Sequence, residues 1–318
     1  MDLVDARLSE ALESRLGEIA RTSGPALTAV LTPVLQRRGK RMRPRLLLAL
    51  AGDRAGPAAL TCAAGVELLH QSSLIHDDLM DRASLRGGTP AVHAVHGSAM
   101  AVVAGDFLVA AGLEALASVD GRHATAGLQA YTDMCRGQAL ETASRYRLLE
   151  VDEHLGVVAG KTGALIRGAC TIGARLAGLD PARVAKAGRF GLALGVLYQL
   201  VDDLLDLCGT PAQAGKPVGQ DLANGVYTLP ALLAARLHGR AFTEQLGRGA
   251  AGLAAARDMA AHGDILAEAT RYARRYATTA ERSAGALPPG PVRDWLAKLP
   301  DRLLDRAMAG PVAAQAAR

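Results

Sequence analysis

Three carboxylates, Asp77, Asp78 and Asp81, stand as DDxxD inside LLHQSSLIHDDLMDRASLRGGTPAVH at 68–93. On a helix Asp77 and Asp81 share one face, and His70 lies two turns back on that face. Three acids within one turn repel one another unless something positive stands between them. A DDxxD taken alone also suits a solvated acidic turn. The flanks here point elsewhere: VELL and SSLI before the acids are apolar or small, and Arg86, Gly87, Gly88 and Pro90 follow at once. Acids at the end of a buried helix call for a hard divalent cation, and Mg2+ fits, held by one or two carboxylates plus substrate phosphates. The pattern returns about 125 residues later in GVLYQLVDDLLD, with Asp202, Asp203 and Asp206. Two such helices facing each other could hold a diphosphate through bridging metals.

One short stretch is strongly basic. Arg37-Arg38-Gly39-Lys40-Arg41-Met42-Arg43-Pro44 carries five of them in seven residues. A solvated turn is one reading. The other is an anion clamp, with Gly39 bending the backbone and Pro44 starting the next helix. Lys161-Thr162 lies inside the apolar AGKTGALI. Its ammonium either snorkels to water or contacts a phosphate.

The elements that must carry these groups read as helices throughout. Of 318 residues 50% are apolar and only 3% aromatic, and Ala, Leu and Gly dominate, which favours helix over strand. Apolar spacing predicts helices over 2–20, 26–36, 45–51, 58–81, 100–117, 125–149, 152–176, 181–206 and 229–237, with two or three more to about Met308. Asp180 is the expected N-cap before Pro181. The stretches 82–95 and 208–224 read as loops, and 309–318 as a frayed tail. No alternating strand stands out and no linker interrupts the composition. The expectation is an all-α, single-domain chain, 1–318, of ten or more helices.

The net charge is +5, with Lys and Arg spread along the chain. This suits a small anionic substrate and argues against nucleic acid, which would want a clustered basic face. Cys62, Cys135, Cys170 and Cys208 form no CxxC pair. They read as small buried hydrophobes in a reducing cytoplasm. The N-terminus is acidic and amphipathic, unlike a signal peptide. No run reaches the ~18–20 apolar residues of a spanning helix without a charge or a break.

Taken in order, the motifs resemble those of the trans-isoprenyl diphosphate synthases, the polyprenyl synthetase family. GKRMRP at 39–44 is similar to the family's clamp, and LIHDDLMD at 74–81 to its first aspartate-rich motif. KT at 161–162, YQLVDDLLD at 198–206, GKPVGQDL at 215–222 and TLP at 228–230 also match. The resemblance covers about residues 36–230. It implies an isoprenoid-synthase-type helical bundle around an apolar cavity, with prenyl diphosphate substrates and about three Mg2+ ions per site. Asp77, Asp81 and Asp202 would be metal ligands, and Asp78, Asp203 and Asp206 supporting acids. Arg86, Lys161 and Lys216 would contact the allylic diphosphate, with Thr162 and Gln199 lining the site. Lys40, Arg43 and His70, with Arg41 in the same clamp, would hold isopentenyl diphosphate. The resemblance also implies a homodimer, for which the apolar helix Met100–Ala117 is the candidate contact. Small Ser72 and Ser73 before the first motif imply a product of C20 or longer.

Two cations of the family pattern are missing. Gly87 follows Arg86 where the family has a second arginine, and Val226 precedes TLP by one residue where it has lysine. Cations elsewhere, such as Arg82 or Arg37, are candidates to compensate. The expected activity is chain elongation. The alternatives are a terpene-synthase-like lyase or cyclase ionising one prenyl diphosphate, a non-catalytic subunit of a heteromeric synthase, and an unrelated Mg2+ nucleotide hydrolase. The missing cations favour the cyclase. The intact clamp and the scarcity of aromatic faces oppose it.

Overall fold

A computed structural model describes residues 6–37, 39–54, 56–208 and 219–308. Lys216, Arg38 and the tail 309–318 lie outside the described residues. The chain is all-α: fifteen α-helices and one two-stranded hairpin among the described residues. By packing it divides into two compact units, Met1–Tyr131 with Leu165–Gly188, and Thr132–Ala164 with Arg189–Arg318.

The first unit is built on α1 (Ala6–Thr22), α2 (Pro25–Leu35), α3 (Met42–Ala51), α4 (Pro57–Met80) and α5 (Val92–Ala117). Every residue from Ala63 to Leu69 of α4 is buried, so this helix, apolar all round, runs through the core. It packs along α5, and Gly65 and Gly112 permit the approach: a Cβ on Gly65 would stand 2.8 Å from the Gly112 carbonyl oxygen. Between α4 and α5 the expected loop contains a hairpin, β1 (Leu85–Arg86) against β2 (Thr89–Pro90). Its two-residue tip, Gly87-Gly88, has φ of +55° and +79°. A type I′ turn needs positive φ at both central residues, and glycine meets that without strain. The expected helix from Met100 begins earlier, at Val92, with a break at Gly97 where φ is +81°. By length and composition alone α5 is long and apolar enough to cross a membrane, against the expectation that no run is, and 33% of its most apolar 18-residue window is buried.

The one charge buried in the middle of α4 is Glu67, 2% exposed. It accepts from Arg41 Nη1 at 2.6 Å and from Gln71 Nε2 at 2.7 Å. Arg41, 8% exposed, also donates to Glu13 Oε1 and Oε2 at 2.8 and 3.0 Å. Its Nη2 reaches the carbonyls of Leu35 at 2.7 Å and Arg37 at 3.1 Å. Burial alone would lower the Arg41 pKa, but the bonds to Glu13 and the charge of Glu67 raise it above the ordinary arginine value. One guanidinium thus ties α1, the end of α2, the start of α3 and the middle of α4.

The second unit holds the end of α6 (Gly121–Ala143), α7 (Val151–Val158), a π-turn at Ala159–Gly163, most of α9 (Pro181–Cys208) and the remaining helices. The last group is α10 (Gln220–Ala223), α11 (Leu229–His238), α12 (Arg240–Leu246), α13 (Gly249–Ala260), α14 (Gly263–Gly285) and α15 (Pro291–Met308). Its core gathers Val196, Leu197, Leu200, Val201, Leu204 and Leu205 of α9 with Phe242 and the apolar faces of α11, α13 and α14. The helix α8 (Ala164–Leu176) belongs almost wholly to the first unit. Asp180 caps α9 as expected: its Oδ1 accepts from the Arg183 N–H at 2.9 Å.

Breaking a buried ion pair from one side leaves the other charge stranded. Arg41→Ala is therefore expected to lower the stability of the chain by about 3–5 kcal/mol in urea unfolding. Arg41→Met combined with Glu67→Met should recover most of that loss, because both buried charges are then gone.

Candidate functional site

The first acid motif occupies the last turn of α4. A Schellman motif ends the helix: the Ala83 N–H donates to the Asp78 carbonyl at 2.9 Å and the Arg82 N–H to that of Leu79 at 3.3 Å. Arg82 takes the left-handed conformation, φ +52°, that this motif demands. Asp77 is half-buried, Asp78 buried and Asp81 exposed at the C-cap. Acids at a helix C-terminus face the negative end of the helix dipole, so this placement works against stability. Arg86, on the hairpin, offsets part of it: its Nη2 and Nε lie 2.6 and 2.7 Å from Asp78 Oδ1.

The clamp flanks α3. Lys40 is exposed, while Arg43 Nη1 lies 2.9 Å from His70 Nε2. Since a guanidinium only donates, His70 accepts through Nε2. Burial first, then the charges of Arg43, Arg86 and Arg41, hold its pKa well below 6.5, so His70 is neutral. Arg41 departs from the expectation of a substrate contact. Its guanidinium is turned inward with nearly every donor engaged, and its part in the clamp is to position its neighbours. Ser72 and Ser73, the expected floor, each have a polar partner. Ser72 Oγ lies 3.0 Å from Tyr131 Oη, and Ser73 Oγ donates to the His70 carbonyl at 2.8 Å. A ring from α6 therefore stands beside Ser72.

In the second unit, Lys161 and Thr162 sit on the π-turn. An i→i+5 turn adds a residue to the helix and often marks a functional position. Close approach to α6 comes from Gly137, where a Cβ would meet the Lys161 backbone nitrogen at 2.5 Å. Lys161 Nζ donates to Glu141 Oε1 at 2.6 Å. Thr162 Oγ1 donates to Gln199 Oε1 at 3.0 Å, and Gln199 Nε2 to Asp203 Oδ1 at 2.9 Å. Asp203 and Asp206 are buried, at 2% and 4% exposure. Asp203 Oδ2 has no hydrogen-bond partner among the described residues and faces His154 Nε2 at 3.8 Å. Asp202 is half-buried and lies 3.4 Å from Arg306 Nη1 on α15. Asp206 fixes the returning chain: its carbonyl accepts from the Gly219 N–H at 2.8 Å.

Sequence reading missed Glu67, Glu141, His154, Arg306 and Tyr131 as partners. A single acid inside the apolar GVELLH was the available signal for Glu67. Nothing local points to Arg306.

Among the described residues, no three His, Cys, Asp or Glu side chains converge closely enough to hold a metal unaided. The donor chemistry still fits Mg2+. Asp77 and Asp81 are hard oxygen donors one turn apart, Asp203 keeps a buried carboxylate oxygen without a hydrogen bond, and Mg2+ usually completes its shell with water and substrate phosphate.

The family described as polyprenyl synthetase matches residues 24–257. The chain is 40% identical over 206 residues to a (2E,6E)-farnesyl diphosphate synthase of Mycobacterium tuberculosis, spanning 62% of this chain and 57% of that protein. It is 35% identical over 237 residues to heptaprenyl diphosphate synthase component 2 of Geobacillus stearothermophilus, spanning 73% and 71% respectively. Among solved structures, it is similar to a polyprenyl synthase from Caulobacter crescentus CB15 complexed with calcium and isoprenyl diphosphate. There the TM-score is 0.85 and the identity 30%, over 95% of this chain and 94% of that one.

The neutral His70 gives a pH test. Its folded pKa is depressed below the ordinary 6.5. Between that depressed value and 6.5 the unfolded chain binds more protons than the folded one, so stability falls as pH drops through this window. The slope from this one group approaches about 1.4 kcal/mol per pH unit at most. Urea unfolding of wild type and His70→Gln from pH 7 to 5 should show the steeper decline in wild type. Parallel curves would mean that His70 is not held neutral.

Proposed function

The chain belongs to the polyprenyl synthetase family, and from that premise we propose that it is a prenyltransferase. It joins an allylic prenyl diphosphate to isopentenyl diphosphate, giving a longer all-trans polyprenyl diphosphate and pyrophosphate. The observation that carries this reading is the Arg43–His70 pair, a cation on a neutral imidazole at 2.9 Å, in which Arg43 of the clamp on α3 meets His70 of α4, the helix that carries Asp77 and is capped by Asp81. A protein acting on one diphosphate alone has no use for that second cationic group.

Asp77, Asp81 and Asp202 are the proposed ligands of Mg2+, which when bound neutralises charge on the leaving diphosphate. Asp78, held by Arg86, and Asp203, held by Gln199, orient their motifs. Asp206 supports the second motif in the same way. Arg86, Lys161 and Lys216 bind the allylic diphosphate, with Thr162 and Gln199 lining the site. Lys40, Arg43 and His70 bind isopentenyl diphosphate. The allylic C–O bond breaks to leave pyrophosphate and an allylic cation. The double bond of isopentenyl diphosphate supplies the electron pair for the new C–C bond, and a proton leaves with the pyrophosphate. Fixed cations stabilise the departing charge, and apolar walls keep water from the cation.

We take the product as C20 or longer, on the small side chains of Ser72 and Ser73, with Tyr131 as the residue set to limit it. The cysteines are all free and three are buried, which supports a reducing cytoplasm. A second copy is assigned to the outer face of α5, where Val95, Val102 and Val103 are exposed. A monomer in light scattering at micromolar concentration would count against that pairing.

The test is incubation with Mg2+ and C10–C20 allylic diphosphates, with and without labelled isopentenyl diphosphate. Label should enter a longer prenyl chain. Asp77→Ala and Asp202→Ala should each cut turnover about 10²–10³-fold or more, with helical circular dichroism intact, and chelation should silence wild type. Pyrophosphate release with isopentenyl diphosphate untouched would replace this reading with a lyase or cyclase. No turnover by the chain alone would make it one component of a two-part synthase. On product length, Ser73→Phe should shorten the distribution and Tyr131→Ala lengthen it. An unchanged distribution in both would place the floor elsewhere.

A further inference from the structure

Arg37 lies two residues past the end of α2, and its side chain turns toward the hairpin. Its Cδ stands 3.9 Å from where a Cβ on Gly87 would be. Burial lowers its pKa, the Asp78 carboxylate raises it and the Arg86 guanidinium lowers it again. Asp78 Oδ1 already takes both Nε and Nη2 of Arg86. Both guanidiniums thus feel the one carboxylate, and Arg86 is the one bonded to it. Arg37 Nε is buried and has no hydrogen-bond acceptor among the described residues. A desolvated donor left unpaired is destabilising, and here it also stands beside a like charge. Nevertheless the backbone is held: the Arg37 carbonyl accepts from Arg41 Nη2 at 3.1 Å. This is the electrostatic state of a site built to receive an anion.

The hairpin explains why the cation comes from this side. Its tip needs positive φ at residues 87 and 88, a conformation that strains a residue bearing a side chain. Arg37 reaches the same place from a separate segment.

We infer that Arg37 is a substrate-binding residue that contacts the diphosphate of isopentenyl diphosphate across the hairpin tip. The inference rests on the prenyltransferase reading. The second substrate is the one assigned because Arg37 opens the basic stretch that runs on to Lys40 and Arg43.

The experiment uses the full chain as wild type, Arg37→Gln and Arg37→Lys. Isothermal titration with isopentenyl diphosphate, and separately with inorganic pyrophosphate, is run in EDTA. Steady-state KM values are measured for both substrates with Mg2+. Arg37→Gln should weaken isopentenyl diphosphate binding and raise its KM about tenfold to a hundredfold, with kcat and the allylic KM changed less than about twofold. Arg37→Lys, which keeps the charge but loses the fork, should fall between. Thermal melting without ligand should leave Arg37→Gln at or above wild type, since a like-charge contact is removed. A merely structural arginine would lower it. Isopentenyl diphosphate consumed equally well by Arg37→Gln and wild type would overturn this inference and leave the prenyltransferase reading intact. So would a change confined to the allylic KM. Pyrophosphate binding lost in Arg37→Gln, with no isopentenyl diphosphate consumed by wild type, would keep the anion site and overturn the prenyltransferase reading.

Discussion

A single buried guanidinium sets the geometry of the first unit. Arg41 gathers two carboxylates and two backbone carbonyls, so nearly every donor it has is used. Charges taken out of water repay the desolvation only with such near-complete pairing. The energetic gain over an apolar replacement is small for such groups, and what the pairing gives is registry. Glu67 lies one turn before His70 on α4, and Arg41 lies between Lys40 and Arg43. Locking Arg41 onto Glu67 therefore fixes the clamp against the very turn that carries His70. The left-handed φ of +43° at Arg41 is maintained by the same contacts, since nothing local favours it in an arginine.

The second unit solves a similar problem with a different device. Its acids lie on a helix that the core surrounds, so Asp203 and Asp206 are buried and must be oriented by polar neighbours. The π-turn brings Lys161 and Thr162 to the surface that the α9 carboxylates share, and the pair Gly137 and Gly160 lets the backbones meet without side chains between them. Thr162, Gln199 and Asp203 then form one directed chain of hydrogen bonds. Such a chain holds a carboxylate in one rotamer without neutralising it, which a cation in direct contact would do. In the first unit Asp78 is held by a cation instead. It can be, because Asp77 and Asp81 beside it remain as oxygen donors.

Much of this was legible in the sequence because it depends on local pattern. The start of α4 was placed within a residue, and the Asp180 cap and the end of α9 within two, since caps and apolar periodicity are short-range signals. The motif residues were legible for the same reason, each acid group sitting in a characteristic apolar frame. Three features were not. The π-turn has ordinary helical composition and arises from packing against α6. The hairpin is only two residues long on each side, too short for alternation to show, although Gly-Gly was its one visible mark. The partners Glu141, His154, Arg306 and Tyr131 are distant in sequence, and a single sequence carries no record of which distant side chains meet. Arg41 was misread for a related reason: a basic stretch shows where cations are, and only tertiary contacts show which of them faces inward.

Both missing cations fall at turns, and at the hairpin the turn bears directly on the residue chosen. Gly87 is the first central residue of a turn that requires positive φ, and Val226 follows Gly225, whose φ is +72° and whose Cβ position is filled by the Tyr146 ring at 2.5 Å. The Tyr146 N–H donates to the Gly225 carbonyl at 2.8 Å, and the Val226 N–H to that of Asp221 at 2.9 Å. At both places backbone geometry is settled by tight turns. A long side chain at the tip of a two-residue hairpin would gain a charge contact but strain the φ that directs Arg86 onto Asp78. Turn geometry and ligand charge thus compete for one residue. Where the turn wins, the charge must come from another segment whose backbone is free of that demand. The chain entering the clamp is such a segment, because Arg41 already anchors it from below.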